Sequence, residues 1–209
     1  MKSECFCIVA AEDEIRMVFN EMDGEQISLL GHYAALLAKW NAKINLISRK
    51  DVGNIVCKHI IPCLSIGRVA DFLPGETVLD IGTGGGLPGI PLAIAHRTTN
   101  FTLMDSVGKK IGALNEMISE LGLRNTKLVH CRAENFSGKF DKIVARAVSN
   151  LRKFLGYSSK LLKRDGKIFY IKGGDCSGDF ALLKKYKLHS ISAATGIDKL
   201  GDKVILEIF

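Results

Sequence analysis

Residues 77–89 constrain the fold more than any other stretch. Thr77-Val78-Leu79-Asp80-Ile81 reads as a short buried strand, Gly82-Thr83-Gly84-Gly85-Gly86 as a glycine-dense turn, and Pro88, with its preset φ and missing N–H, suits the first turn of a helix. Strand, glycine turn and helix N-terminus form a geometry that receives an anionic or polar ligand. Glycine lets the ligand approach the backbone, and the helix end adds positive potential. The unit then repeats. Strands are expected at 101–105, 127–131, 140–145 and 167–172. Helices are expected at 88–96, from Ser106 as N-cap to Gly122, and from Ser149 as N-cap to Leu162, with an Asp165-Gly166 turn before the fifth strand. Two β-like runs, 187–193 and 203–209, close the chain around a loop-like 194–202 and suit an antiparallel pair at a sheet edge. This order predicts an α/β fold: a doubly wound, mostly parallel sheet with helices on both faces. Ligands of such sheets sit beyond the carboxyl ends of the strands, which here are Gly82–Gly86, Asp105, Ala133-Glu134 and Arg146.

The first 73 residues read differently. A helical pattern spans 12–22 and stops at Asp23-Gly24. Leu30, Tyr33, Leu37, Trp40 and Ile44 recur at spacings of three and four, so they share one helical face, a core-packing stripe. Asp51 reads as the N-cap of a further helix carrying Val52, Ile55, Val56, His59 and Ile60, which Pro62 kinks or ends. His59, among apolar neighbours, reads as a hydrogen-bonded structural histidine. Pro74-Gly75 is a turn. The expected organisation is a helical extension over 1–73 packed on a core of 74–209, one compact domain overall.

At 209 residues and 47% hydrophobic side chains, the chain can fill one sizeable core. No apolar run approaches the roughly 18 residues of a membrane span. The start of the chain, apolar from Phe6 to Ala11, is too short and too soon acidic for a signal peptide. Cys5, Cys7, Cys57, Cys63, Cys131 and Cys176 show neither a C-x-x-C pair nor zinc spacing, so no metal is expected and a cytoplasmic setting is. A net charge of +7 is compatible with a polyanionic partner. Lys109, Lys110, Arg152, Lys153, Lys184 and Lys185 are candidate phosphate contacts.

The glycine spacing selects among nucleotide-type ligands. A dinucleotide fingerprint would require glycine at position 87, which is Leu87, and a phosphate loop would require G-K-[ST] after the turn. The pattern present, Asp80-x-Gly82-x-Gly84-x-Gly86, is the one associated with class I S-adenosylmethionine-dependent methyltransferases. Asp105, ending the second strand, is placed to accept hydrogen bonds from ribose hydroxyls. After the fourth strand, amino-methylating enzymes carry [D/N]-P-P-[Y/F/W] and cytosine-C5 enzymes a cysteine. This chain reads Val144-Ala145-Arg146-Ala147-Val148. Attack on a sulfonium methyl needs a lone pair. Guanine N7 has one and no proton to lose, so in-line positioning can carry the catalysis and no general base is required.

Gly82-Thr83-Gly84-Gly85-Gly86-Leu87-Pro88-Gly89-Ile90-Pro91-Leu92-Ala93 closely resembles the signature of the bacterial ribosomal RNA small-subunit methyltransferase G family, also called glucose-inhibited division protein B. Met104–Lys110, Arg132–Glu134, Ala145–Ala147 and Ile171–Gly174 follow in the family's order, and Trp40–Leu46 with Lys58–Ile60 is similar to its helical leader, so the resemblance covers roughly 25–175. It implies a Rossmann-like class I core with a helical extension, S-adenosyl-L-methionine as cofactor, and methylation of N7 of one guanosine in 16S rRNA. The partner it implies is 16S rRNA, in the small ribosomal subunit or an assembly intermediate, with the protein expected as a monomer. Carried over, Gly82 and Leu87 line the cofactor site, Ala133 and Glu134 contact its adenosine portion, and Arg146 sits at the cofactor or target base; the glycine spacing adds Gly84 and Gly86 to the cofactor-binding candidates. Lys172 joins Arg146 as a candidate for positioning the base. Two departures stand in the leader. His59-Ile60-Ile61-Pro62-Cys63 replaces the family's H-x-x-D-S, and Asn45-Leu46-Ile47 replaces N-L-T. Alternatives are a small-molecule methyltransferase of the same fold and a non-catalytic RNA-binding module with a vestigial cofactor pocket.

Overall fold

A computed structural model describes residues 2–147, 150–174, 183 and 185–209. Strands β1 (Thr77–Ile81), β2 (Asn100–Asp105), β3 (Thr126–His130), β4 (Phe140–Arg146) and β5 (Leu162–Gly173) pair in parallel. Strands β6 (Tyr186–Ser190) and β7 (Lys203–Ile208) complete one seven-stranded sheet of order β3-β2-β1-β4-β5-β7-β6. β7 is antiparallel to both neighbours, so the C-terminal antiparallel pair is present with β6 outermost. The chain winds outward from β1 to β3 and returns to β4 on the other side. The switch point therefore lies between β1 and β4, where ligands of such sheets bind. Strand burial alternates across the sheet. Val78 and Leu103 face one cluster, Leu79 and Met104 the other.

Helices α1 (Lys2–Val18) and α2 (Gly24–Asn41) form the leader. α1 begins well before residue 12, and its Ile15 is fully buried. α1 closes on Gly31 of α2, where a Cβ would lie 2.7 Å from Glu12 Cγ. Asp23 caps α2 in a capping box. Its carboxylate accepts from Gln26 N (2.8 Å) and its own N–H donates to Gln26 Oε1 (3.0 Å). Leu30, Tyr33 and Leu37 are buried as their spacing predicts, while Ile44 lies beyond the helix end.

Residues 49–68 depart from the expected single helix. Two 3-10 turns, Arg49–Asn54 and Ser65–Arg68, enclose a π turn, Val56–Ile60, and the short α3 (Ile61–Leu64). Asp51 does not cap. Its carboxylate accepts from Lys58 Nζ at 2.6 Å instead. Pro62 opens α3 rather than ending a helix, because a proline in the first turn removes an N–H that has no intrahelical partner anyway.

The remaining helices are α4 (Gly89–Ala95), α5 (Gly108–Leu121), α6 (Leu151–Leu161) and α7 (Ile191–Thr195). α5 ends as predicted at Gly122 (φ 64°), but Ser106 is not its cap. Val107 occupies that position without a side-chain bond. α6 is capped by Asn150, whose Oδ1 accepts from Lys153 N at 2.9 Å, and Ser149 lies outside the described residues. β5 runs through Asp165-Gly166, absorbing the expected turn as a register shift against β4. β6 stops at Ser190 because its hydroxyl caps α7, accepting from Ala193 N at 3.2 Å. One cluster joins Ile15, Phe19 and Leu37 of the leader to Val78, Ile90 and Leu103, so leader and sheet share a core. Among the described residues no helix is long and apolar enough to cross a membrane.

Candidate active site at the carboxyl ends of β1, β2 and β4

Asp80 is fully buried in β1. Its Oδ2 accepts from Thr83 Oγ1 (2.6 Å) and Gly89 N (2.8 Å), while Oδ1 is buried without a partner. Burial pushes the carboxyl up to about 7, against the pull of these hydrogen bonds. A Cβ on Gly89 would fall 2.0 Å from Leu103 Cδ2 and 2.7 Å from Asp80 Oδ2, so only glycine fits there. The first N–H of α4 therefore faces inward to Asp80. That N–H is engaged by a buried carboxylate.

The loop is built on left-handed glycines, Gly82 (φ 71°), Gly84 (φ 59°) and Gly86 (φ 94°). Gly82 and Thr83 both donate to Met104 O, and Gly86 and Leu87 both donate to Thr83 O. Gly84 N donates to Asp105 Oδ2 at 3.0 Å, and Val107 N donates to Asp105 Oδ1 at 2.9 Å. Asp105 thus ties the ends of β1 and β2 together, with Lys110 Nζ 3.8 Å away. The N–H groups of Gly82, Thr83, Gly84, Gly86 and Leu87 are thus engaged within the protein. Only Gly82 opens outward, with nothing within 4 Å of a Cβ built on it. Gly86 is closed by Ile90 and Leu114, and the Leu87 side chain is buried in the core.

The leader holds the loop from above, a relationship the sequence does not announce. Tyr33 Oη donates to Gly85 O at 2.8 Å. A Cβ on Gly85 would meet Leu37 Cδ1 at 2.8 Å and Leu46 Cβ at 3.2 Å. Leu46 is itself placed by Asn41, whose Oδ1 accepts from Leu46 N (2.8 Å) and Ile47 N (2.9 Å). Burial of the Tyr33 phenol pushes its pKa well above the usual range, so it is a fixed donor.

Arg146 ends β4, level with Ile171 in β5, and the next residue, Ala147, takes φ 54°, uncommon for a residue with a side chain. Arg146 and Lys172 line one cavity of about 460 Å³ together with Asp51, Lys58, His59 and Lys203. The reading of His59 as a hydrogen-bonded structural histidine is corrected. It is buried, yet neither ring nitrogen has a hydrogen-bond partner, and Asp51 Oδ2 stands 3.4 Å from Nε2 without hydrogen-bond alignment. Burial, then the Arg146 charge, lowers its pKa to about 4 against the opposing pull of Asp51, so the imidazole is neutral.

Ala133 and Glu134 occupy a 3-10 turn after β3 and line a different cavity, of about 440 Å³, with Phe136, Lys153 and Tyr157. The cation candidates Lys109 and Lys110 stand in the first turn of α5, and Arg152 and Lys153 in the first turn of α6. Lys109, Arg152, Lys153 and Lys185 are exposed, and Lys185 Nζ lies over the Phe209 ring. Lys110 leans toward Asp105, and Lys184 lies outside the described residues. Among the described residues no group of three or more His, Cys, Asp and Glu could hold a metal ion.

The chain is similar to curated relatives and to solved structures. The ribosomal RNA small subunit methyltransferase G of Chlorobaculum tepidum is 50% identical over 156 residues, 74% of this chain and 72% of its own. That of Flavobacterium psychrophilum is 39% identical over 202 residues, 94% of this chain and 97% of its own. In fold, the chain is similar to M. jannaschii TYW2 in complex with AdoMet, with a TM-score of 0.56 at 19% identity, covering 76% of this chain and 78% of that one. It is also similar to the ribosomal protein L11 methylase of Lactobacillus delbrueckii subsp. bulgaricus, with a TM-score of 0.52 at 20% identity, covering 71% and 76%. These neighbours show a methyltransferase fold of the Rossmann-like class. Residues 26–197 match the rRNA small subunit methyltransferase G (GidB) family, and the chain belongs to that family.

Proposed function

We propose that this protein transfers the methyl group of S-adenosylmethionine to N7 of a guanosine in 16S rRNA. The observation that carries this is the family match across 26–197, which spans the glycine loop and the part of the leader, from residue 26 on, that holds it. S-adenosylmethionine, when bound, supplies a methyl group on a sulfonium, an electrophile needing only an aligned lone pair. The residues present suit such a group. Gly82 leaves open space above the loop, the Asp105 carboxylate lies beside it, and the buried Asp80 Oδ1 lacks a partner. In this reading Gly82, Gly84, Gly86, Leu87, Asp105, Ala133, Glu134 and Arg146 hold the cofactor, and Arg146 and Lys172 position the base.

The chemistry asked of the protein is orientation and exclusion of water. Arg146-Ala147 after β4 brings neither a carboxylate nor a thiol to the acceptor, as a nitrogen without a proton allows. The substrate is rRNA within the small ribosomal subunit or an assembly intermediate, met by a cytoplasmic monomer. The test incubates purified protein and labelled cofactor with small subunits from a strain lacking the modification, and with naked 16S rRNA in parallel. Label in 16S rRNA of the subunit arm is expected. No label in either arm, or label in a metabolite without RNA, overturns the proposal.

A further inference from the structure

The cavity at the ends of β4 and β5 has lining groups that the cofactor and base roles of Arg146 and Lys172 do not use, His59 and Lys203 among them. Among the described residues its lining includes the cations Lys58, Arg146 and Lys203 and one carboxylate, Asp51, which Lys58 engages at 2.6 Å. Arg146 makes no hydrogen bond or ion pair with the described residues, although Asp80, Cys63 and His59 all feel its charge. Lys203 donates to Lys58 O at 2.9 Å, and its ammonium is depressed by burial and then by Arg146. Arg146 and Lys203 line the same cavity, and two cations on one partly buried wall favour an anion between them. His59 adds the second observation. It is 8% exposed, faces the cavity, and has no hydrogen-bond partner for either ring nitrogen. A neutral imidazole carries one N–H donor, and leaving it buried without an acceptor is unfavourable.

We infer that this cavity is a subsite for a phosphodiester of the RNA substrate, with Arg146 and Lys203 neutralising the phosphate and His59 donating a ring N–H to it. The inference rests on the reading of the protein as an rRNA methyltransferase. The position supports it. The cavity lies at the β4–β5 end beneath the leader, whereas Asp105 and Glu134 lie at the β2 and β3 ends on the other side of β1. A phosphate seated here anchors the target nucleotide next to the loop without occupying the open space above Gly82.

The experiment titrates the intact protein, saturated with S-adenosylhomocysteine, with guanosine 5′-monophosphate and with guanosine. The monophosphate should bind about tenfold more tightly, the size of one charge-assisted hydrogen bond. His59→Phe, which keeps the ring and removes the donor, and Lys203→Met should shrink that preference severalfold. His59→Gln, which restores a donor, should recover part of it. In methyl transfer to small subunits, His59→Phe should raise KM more than it lowers kcat. Equal binding of the two ligands, or an unchanged preference in His59→Phe and Lys203→Met, overturns the subsite. A loss of S-adenosylmethionine affinity parallel to the rise in KM also overturns it, since the anion held would then be the cofactor's carboxylate. Absence of transfer by the wild type overturns the functional reading instead, and the phosphate preference is measured independently of it.

Discussion

Tyr33 of the leader donates its hydroxyl to the carbonyl of Gly85, at 2.8 Å, in the middle of the glycine loop. The bond is buried and spans 52 residues of sequence, so it fastens the leader to the glycine loop. Tyr33→Phe keeps the ring and leaves a buried carbonyl unpaired, which costs about 1–3 kcal/mol. We expect a lower thermal midpoint and a severalfold loss of S-adenosylmethionine affinity by calorimetry. Unchanged affinity would separate the leader from the cofactor site.

Gly89 is held between Leu103 and the Asp80 carboxylate with no room for a methyl group. Gly89→Ala should destabilise the fold by at least 1–3 kcal/mol, the usual cost of overpacking, and displace Asp80 from the N–H it caps. Gly82→Ala meets no atoms and is strained only by its φ of 71°. Its stability loss should be about 1 kcal/mol, with a larger effect on cofactor binding than on melting. Denaturant titration of both variants checks the contrast.

Asp105 accepts from Gly84 N and Val107 N across the ends of β1 and β2. Asp105→Ala removes both acceptors, each bond to a charged group being worth roughly 1.5–3 kcal/mol. Cofactor affinity should fall at least tenfold, with 16S rRNA binding by filter retention nearly unchanged. A parallel loss of RNA binding would count against the cofactor role.

Asp80 gives the protein a pH signature. Its folded pKa, about 7, is raised above the ordinary 3.8 of an aspartate, so between those values the folded state holds a proton the unfolded state has lost. Stability therefore falls as pH rises through that window and levels off above it. Between pH 5 and 8 the loss is on the order of 3 kcal/mol. His59 and His96, both lowered to about 4, act in the opposite sense below pH 6.5, where the unfolded state binds the extra protons. Asp80→Asn isolates the carboxyl. The excess stability of the wild type over this variant should shrink from pH 5 to pH 8 and then stay flat, as measured by urea unfolding.

We expect 1–73 and 74–209 to unfold together as one domain, since Phe19 and Leu37 sit in the same cluster as Val78 and Leu103. Trp40 is the single tryptophan and belongs to the leader. Its fluorescence and the far-UV circular dichroism of the sheet should report one coincident transition. Phe19→Ala should shift both by the 3–5 kcal/mol typical of a buried phenylalanine. Two separated transitions would divide the domain.

Much of the architecture is legible in local pattern. The apolar run of β1, the stripe Leu30–Tyr33–Leu37 and the stop at Gly122 depend on residues a few positions apart, and a period of two or 3.6 needs no distant partner to be read. Caps were less secure, because several polar residues compete for one N–H. Ser106 yields to Asp105, which takes the Val107 amide, and at α6 the cap is Asn150. Asp51 has the right type for a cap but lies where Lys58 can reach it.

The spacing Asp80-x-Gly82-x-Gly84-x-Gly86, with leucine at 87, by itself determined the loop's shape and the class of cofactor, since φ preference and glycine's missing Cβ are properties of single residues. Tertiary structure alone decided which way the loop's amides face, that Tyr33 fastens it, and that His59, Arg146 and Lys203 line one cavity. Those meetings join residues 52, 87 and 144 positions apart. They depend on which faces of leader and sheet bury against each other, a choice made by the whole core and by no short stretch of chain.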